Sequence, residues 1–331
     1  MPIPLTFNII EISIYIFFIV VLVLVYQDKV NRRREYFTLL AIIIFSYIGD
    51  YSFTHFCELI RPVKPCESLS SCMMINEYTN GQFLLMLPGN EPLWIMLGWA
   101  VLFFIAMKTT QLLNAPFYLR PVLSALLVAN IDWAMEPVAV NFGWWVWKDN
   151  PATNVFFNSP YSNFLAWFIL VFSYSFMVQM GFKWCNPATE CKKILRDIFV
   201  PLLAIIPALL TVLLIVFGIF HALLYCNIGQ TLAMILVFGI SIFFVFVYAW
   251  DFKKDNILDW KAGLLLAIPA FFYVLYFILL IATGLYEKEG CYPILAVYLP
   301  TISSVGMICY MWPFLESIFK FFQKYLPGRD G

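Results

Sequence analysis

Two carboxyls stand four residues apart in the apolar stretch ANIDWAMEPVAVNFGWWVW: Asp132 and Glu136. On a helix that spacing puts both on one face, one turn apart. In an apolar interior two such acids cannot both ionise cheaply, so the pair is expected to share a proton and to serve as an acid. Pro137 follows directly, removes a backbone donor and loosens the helix there. Trp144, Trp145 and Trp147 crowd the following end, and Trp145 alone reads as an interfacial anchor. No Lys, Arg or His accompanies the two acids in this stretch. A structural clamp is therefore the weaker explanation and a reaction site the better one.

Other ionisable groups in apolar runs are candidates for the same reason: a bilayer makes them expensive. Asp50, His55 and Glu58 share one run, Glu11 lies in another, and His221 stands alone as a structural residue. Glu91 falls inside a pattern that the chain writes twice. Residues 90–99 read NEPLWIMLGW and residues 158–167 read NSPYSNFLAW, both N-x-P-x-x-x-x-L-small-W. Asn before Pro is helix-start chemistry, with Asn as cap and Pro in the first turn. The shared Trp99 and Trp167 go beyond that, and suggest two related walls on either side of the acid-bearing helix. Asn158 and Asn163 can hold water or a carboxylate, Asn90 adds a polar group at the pocket mouth, and Trp144, Trp147 and Tyr161 offer ring faces to a cation.

The elements that must position these residues are membrane helices. The chain has 331 residues, 63% hydrophobic and only 12% charged, where a soluble domain carries about 25%. Nine apolar runs stand out, at about 7–26, 36–60, 92–112, 119–140, 162–183, 198–225, 229–251, 260–285 and 293–315. Of the 20 Lys and Arg residues, 16 fall on one side of that alternation, which predicts an N-out, C-in topology. The fold class expected is thus an all-α polytopic membrane bundle, one membrane domain over 1–331 with a C-terminal four-helix part at about 198–315. The tail 316–331 is expected to lie in the interface, and MPIPLTFN to be a tail before the first span, not a cleaved signal. Orientation then gathers Glu11, Glu58, Glu91, Glu136, Asn158 and the tryptophans in the outer half. Asp50 and Asp132 lie deeper, as the floor of a pocket.

Net charge is zero and no basic tract appears, which argues against nucleic-acid binding. Cys66 with Cys72, and Cys226 with Cys291, fall on the outer side and are candidate disulfides. Cys185 and Cys191 fall on the inner side. No Cys or His cluster has zinc spacing, so no metal is expected.

The stretch 119–170 resembles the carotenoid biosynthesis membrane proteins that include carotenoid hydratases acting on bacterioruberin-type and myxol-type precursors. The likeness rests on Asp132, Glu136-Pro137, Ala139-Val140, Gly143, Trp145 and Trp147, then Pro160, Asn163-Phe164 and Trp167. Glu58, Tyr78-Thr79, Pro92 and Trp99 are similar to an earlier half of the same signature, so the resemblance covers about 50–180. The chain departs from it in having Asn90-Glu91-Pro92 and Asn158-Ser159-Pro160 where the family has Gly-Val-Pro. It also carries a cysteine-bearing insert around 61–76, and Glu136 where Asp is common.

The resemblance implies cofactor-free hydration of a terminal C=C in a polyene, with Asp132, Glu136 and Glu58 as the catalytic acids. It implies a long apolar isoprenoid or carotenoid substrate entering from the bilayer, water as co-substrate, and other pathway enzymes as partners. The same residues also suit a proton-initiated terpene or carotenoid cyclase. A repeat is a transporter signature as well, so a carotenoid or lipid binder or transporter remains the reading from another class.

Overall fold

The computed structural model describes residues 3–60, 75–78, 83–112, 115–148, 155–156, 159–185, 189–215, 236–243 and 260–282. Over these the chain is mostly helical. The helices are α1 (Ile3–Gln27), α2 (Arg32–Ile60), α3 (Leu93–Leu112), α4 (Arg120–Asn141), α5 (Tyr161–Trp184), α6 (Glu190–Leu203), α7 (Ile205–Val212) and α8 (Trp260–Ala282). Among the described residues, five stretches are long and apolar enough to cross a membrane: Asn8–Gln27, Leu93–Leu112, Arg120–Asn141, Asn163–Trp184 and Glu190–Ile215. They fall on the first, third, fourth, fifth and sixth of the apolar runs. The helix α2 covers the second and α8 the eighth. The run at 229–251 is described only at 236–243, while 293–315 and the tail 316–331 lie outside the described residues.

The sixth run differs from expectation at its start. Its helix begins at Glu190, not 198, because the Thr189 side chain accepts from the Lys192 N–H at 3.4 Å and Glu190 occupies the first turn. It then breaks at Ala204, between α6 and α7, with Pro201 and Pro207 on either side. Each proline deletes one helical donor, which is reason enough for the break.

The helices α3, α4 and α5 form the centre, with α4 packed against both neighbours. Buried residues make up 89% of the membrane-length window in α3 but 33% in α1 and 28% across α6–α7. The outer helices therefore turn apolar side chains such as Ile16, Ile19, Ile206 and Leu214 outwards. That is costly against water and neutral against lipid, so the pattern fits a bilayer. Ring stacking joins the central pair: Trp133 of α4 lies on Phe164 of α5 at 3.9 Å and 3°.

Short antiparallel pairs, not foreseen from the sequence, cap the end of the bundle where α3 and α5 begin and α4 ends. The strand β1 (Ile75–Tyr78) pairs with β4 (Trp145–Lys148), β2 (Met86–Leu87) with β3 (Glu91–Pro92), and β5 (Val155–Phe156) with β6 (Ser159–Pro160). These pairs revise the reading of the repeated N-x-P. Pro92 and Pro160 sit in strands opposite Met86 and Val155, one residue before their helices. Proline is tolerated there because such a strand is all edge. Asn90 is not a helix cap either: it has a φ of +61°, in the turn between β2 and β3.

Candidate active site

The site is built where α4 ends. Gly143 takes a φ of +67°, the left-handed turn that glycine allows. Its N–H bonds the Val140 carbonyl at 3.1 Å, and the Trp144 N–H bonds the Ala139 carbonyl at 2.9 Å. That double closure ends the helix and reverses the chain into β4. In a strand, residues two apart share a face. Trp145 and Trp147 consequently both return over the last turns of α4, and both donate their Nε1–H to Glu136 Oε2, at 3.2 and 3.3 Å. Trp144 goes the other way and packs edge-on against Trp94 at 5.7 Å.

The helix α5 completes the ring of donors. Ser159, just before it, donates to Glu136 Oε2 at 2.9 Å, and Asn163 donates from Nδ2 to Glu136 Oε1 at 2.8 Å. The same Asn163 nitrogen lies 3.4 Å from Asp132 Oδ2, so it bridges the two acids. Both carboxyls are buried, Asp132 completely and Glu136 at 2% exposure. Asp132 Oδ1 has no hydrogen-bond partner. Among the described residues no Lys, Arg or His forms an ion pair with either acid.

A cavity of about 30 Å³ opens beside Glu136, lined by Asp50, Tyr78, Ile95, Trp99, Met135, Trp145, Trp147, Asn163, Ala166 and Trp167. That is room for one or two water molecules. Asp50, from α2, accepts a 2.7 Å bond from the Tyr78 hydroxyl, and Tyr78 meets Trp145 edge-on at 6.0 Å. Asp132 does not reach this cavity. It lies one turn below Glu136, and the second carboxyl on the cavity wall is Asp50. A smaller apolar chamber of about 20 Å³ shares Ile95, Trp99, Met135 and Trp145 as a common wall and extends to Ile14, Phe272 and Tyr276.

The structure separates the other sequence candidates. Trp99 and Trp167 stack on each other at 3.6 Å beside the cavity. Trp145, which alone read as an interfacial anchor, is 4% exposed and bound to Glu136, because its strand folds back over the helix. Asn90 is exposed in its turn, and Glu91, though fully buried, is not on the cavity wall. Glu11 accepts from the Tyr15 hydroxyl at 2.8 Å and from the Leu84 N–H, so it ties α1 to the segment before β2. Asn158, His221, Cys66, Cys72, Cys226 and Cys291 lie outside the described residues, as do the side chains of His55, Glu58 and Tyr161. Cys185 and Cys191 are free and exposed. Sequence reasoning missed Ser159 as a donor. Its signal was its place in the repeat, in the same slot as Glu91, where a polar residue ahead of an apolar helix needs a partner.

No curated protein and no solved structure matches the chain. Residues 77–239 match the family model described as carotenoid biosynthesis protein. The matched stretch contains both acids and all four donors to Glu136, whereas Asp50 precedes it. Together with the apolar helices, that match points to a membrane protein with a biosynthetic role in carotenoid metabolism.

Proposed function

We propose that this protein hydrates a terminal C=C of a carotenoid or related long isoprenoid, without a cofactor. The observation that carries the reading is the Glu136 carboxylate, held by four neutral donors at the wall of a water-sized cavity. Trp145, Trp147, Ser159 and the Asn163 amide each bring a hydrogen, so both Glu136 oxygens act as acceptors. A carboxylate fixed that way is suited to orient a water and take its proton. Asp50, across the cavity, is the carboxyl placed to deliver a proton to the less substituted carbon of the double bond. The tertiary cation that forms lies among Trp99, Trp145, Trp147 and Trp167, whose ring faces stabilise positive charge. Water then adds to the cation and gives up its proton to Glu136; return of that proton to Asp50 through a cavity water restores both carboxyls, so the balance is C=C plus H2O to a tertiary alcohol. Asp132 is a positioning acid in this scheme, acting on Glu136 through their shared Asn163.

The substrate comes from the bilayer. Its apolar end reaches the reaction cavity through the adjoining chamber, both of which widen to admit it as Met135, a side chain that adapts its shape readily, moves aside. In the same reading the chain is one nine-span bundle, N-out and C-in, with the cavity in its outer half. The dry chamber favours a second reaction, cyclisation, in which another double bond and not water captures the cation.

The test is conversion of lycopene-type and shorter polyprenyl substrates by the full chain in membranes made up in ¹⁸O-labelled water. Hydration gives a product heavier by one labelled water. Glu136→Gln and Asp50→Asn are expected to cut turnover at least about a hundredfold with helix content unchanged. An isomeric product establishes the cyclase, and binding without conversion establishes a carrier; either one defeats the hydratase reading.

A further inference from the structure

At the opposite end of the central helices lies a second, larger cavity of about 280 Å³. The helices α2, α3, α4 and α5 send Arg34, Lys108, Arg120 and Lys183 to its wall, against a single carboxylate, Glu35. Glu35 is already shared by Arg34 at 3.1 Å and by Lys108. Arg120 and Lys183 have no carboxylate among the described residues. The Arg120 Nε–H goes to the Ala115 carbonyl at 2.8 Å, and the Lys183 ammonium rests 4.5 Å from the centre of the Phe117 ring. Charge bias between loops accounts for cations on this side of a bundle. It does not account for four of them converging on one concavity.

A neutral residue supplies the independent sign of a ligand. Gln179, on α5, lines the cavity and is 7% exposed, yet neither its amide nitrogen nor its amide oxygen has a hydrogen-bond partner. A buried amide left unpaired is costly, and such groups are ordinarily satisfied by a ligand or water. Its N–H groups and the neighbouring cations are all donors, the set that an anion with several oxygens requires.

We propose that this cavity binds a phosphate or diphosphate group at the face remote from the Glu136 site, held by Lys183, Arg120 and Lys108 with Gln179 as the neutral donor. Two sources share that chemistry: the headgroup of an anionic phospholipid, and a free phosphate or diphosphate. The purified full chain in phosphatidylcholine nanodiscs is titrated with inorganic pyrophosphate, and separately reconstituted with increasing phosphatidate, at matched ionic strength. A rise of several degrees in the thermal midpoint is expected in at least one arm, the phosphatidate arm alone marking a lipid and the pyrophosphate arm a soluble ligand.

Lys183→Gln is expected to weaken the response about tenfold in concentration. Gln179→Leu removes the unpaired amide without changing volume much, so its ligand-free midpoint is expected to hold or rise while the ligand-induced shift shrinks. A wild-type chain that responds to neither anion beyond a chloride control overturns the proposal. So does an unchanged response in both variants.

Discussion

The chain writes N-x-P-x-x-x-x-L-small-W twice, and the structure gives both copies the same local form. Each is a two-residue strand ending in proline, paired back on the strand before it, followed at once by a central helix. Their tryptophans, Trp99 and Trp167, meet face to face at 3.6 Å. Among the positions where the copies differ, the sixth decides what each wall presents. In the second it is Asn163, which bonds Glu136 and reaches Asp132; in the first it is Ile95, which lines both chambers. One wall is therefore polar and turned to the acids, the other apolar and turned to the chamber. A duplicated frame has been made to hold a site with a wet side and a dry side. The lesson is that the frame supplies geometry, and the chemistry comes from where the copies differ.

The largest effect should come from breaking what the copies share. Trp99→Ala or Trp167→Ala removes half of the stack, and each is expected to cost about 3–5 kcal/mol of stability. Thermal unfolding in nanodiscs measures this. The double variant should cost less than the sum of the singles by about 0.5–1.5 kcal/mol, since either change already abolishes the ring contact. Strict additivity would show that the stack contributes nothing of its own.

Erasing the difference between the copies comes next. Asn163→Leu makes the second wall as apolar as the first and strips a donor from each acid. Turnover is expected to fall about a hundredfold, which is about 2.7 kcal/mol of barrier, and stability by about 1–3 kcal/mol, because Glu136 Oε1 and Asp132 Oδ2 lose their buried donor. Ile95→Leu, on the other wall, should stay within about threefold of wild type. Equal losses in the two variants would remove the distinction between a wet and a dry wall. Ser159→Ala is milder, because Trp145 and Trp147 still hold Glu136 Oε2. A drop of about tenfold, or about 1.4 kcal/mol, is expected in the same assay.

Much of this frame was legible before any coordinates. Apolar run length located the central helices, because backbone satisfaction inside a bilayer leaves few alternatives to a helix. The four-residue spacing put Asp132 and Glu136 on one face, and one amide, Asn163, does reach both. The strands were not legible, for a physical reason. A pair two residues long has no periodicity to read, and its signs are turn residues such as Pro88-Gly89-Asn90 and the helix-ending Gly143. Without the strands, Trp145 had no reason to face inwards. The sequence placed Asp132 deeper than Glu136 but could not show that it stands off the cavity wall, since which residues a cavity reaches is settled only once α5 and β4 are packed over the helix.

The smallest effect tests whether the hairpin of the first copy is built as its conformation suggests. Asn90 holds a φ of +61° between β2 and β3, next to Gly89 at +82°. There the Cβ itself crowds the following carbonyl oxygen, and Asn is among the few residues whose short polar side chain offsets that by hydrogen-bonding locally. Asn90→Ala is expected to lose about 1 kcal/mol, whereas Asn90→Gly should match wild type within a few tenths. Because Asn90 is exposed and off the cavity wall, neither change should alter turnover per folded molecule. If Asn90→Ala instead lowered turnover at unchanged stability, Asn90 would belong to the site after all. The first copy would then be more than an apolar wall.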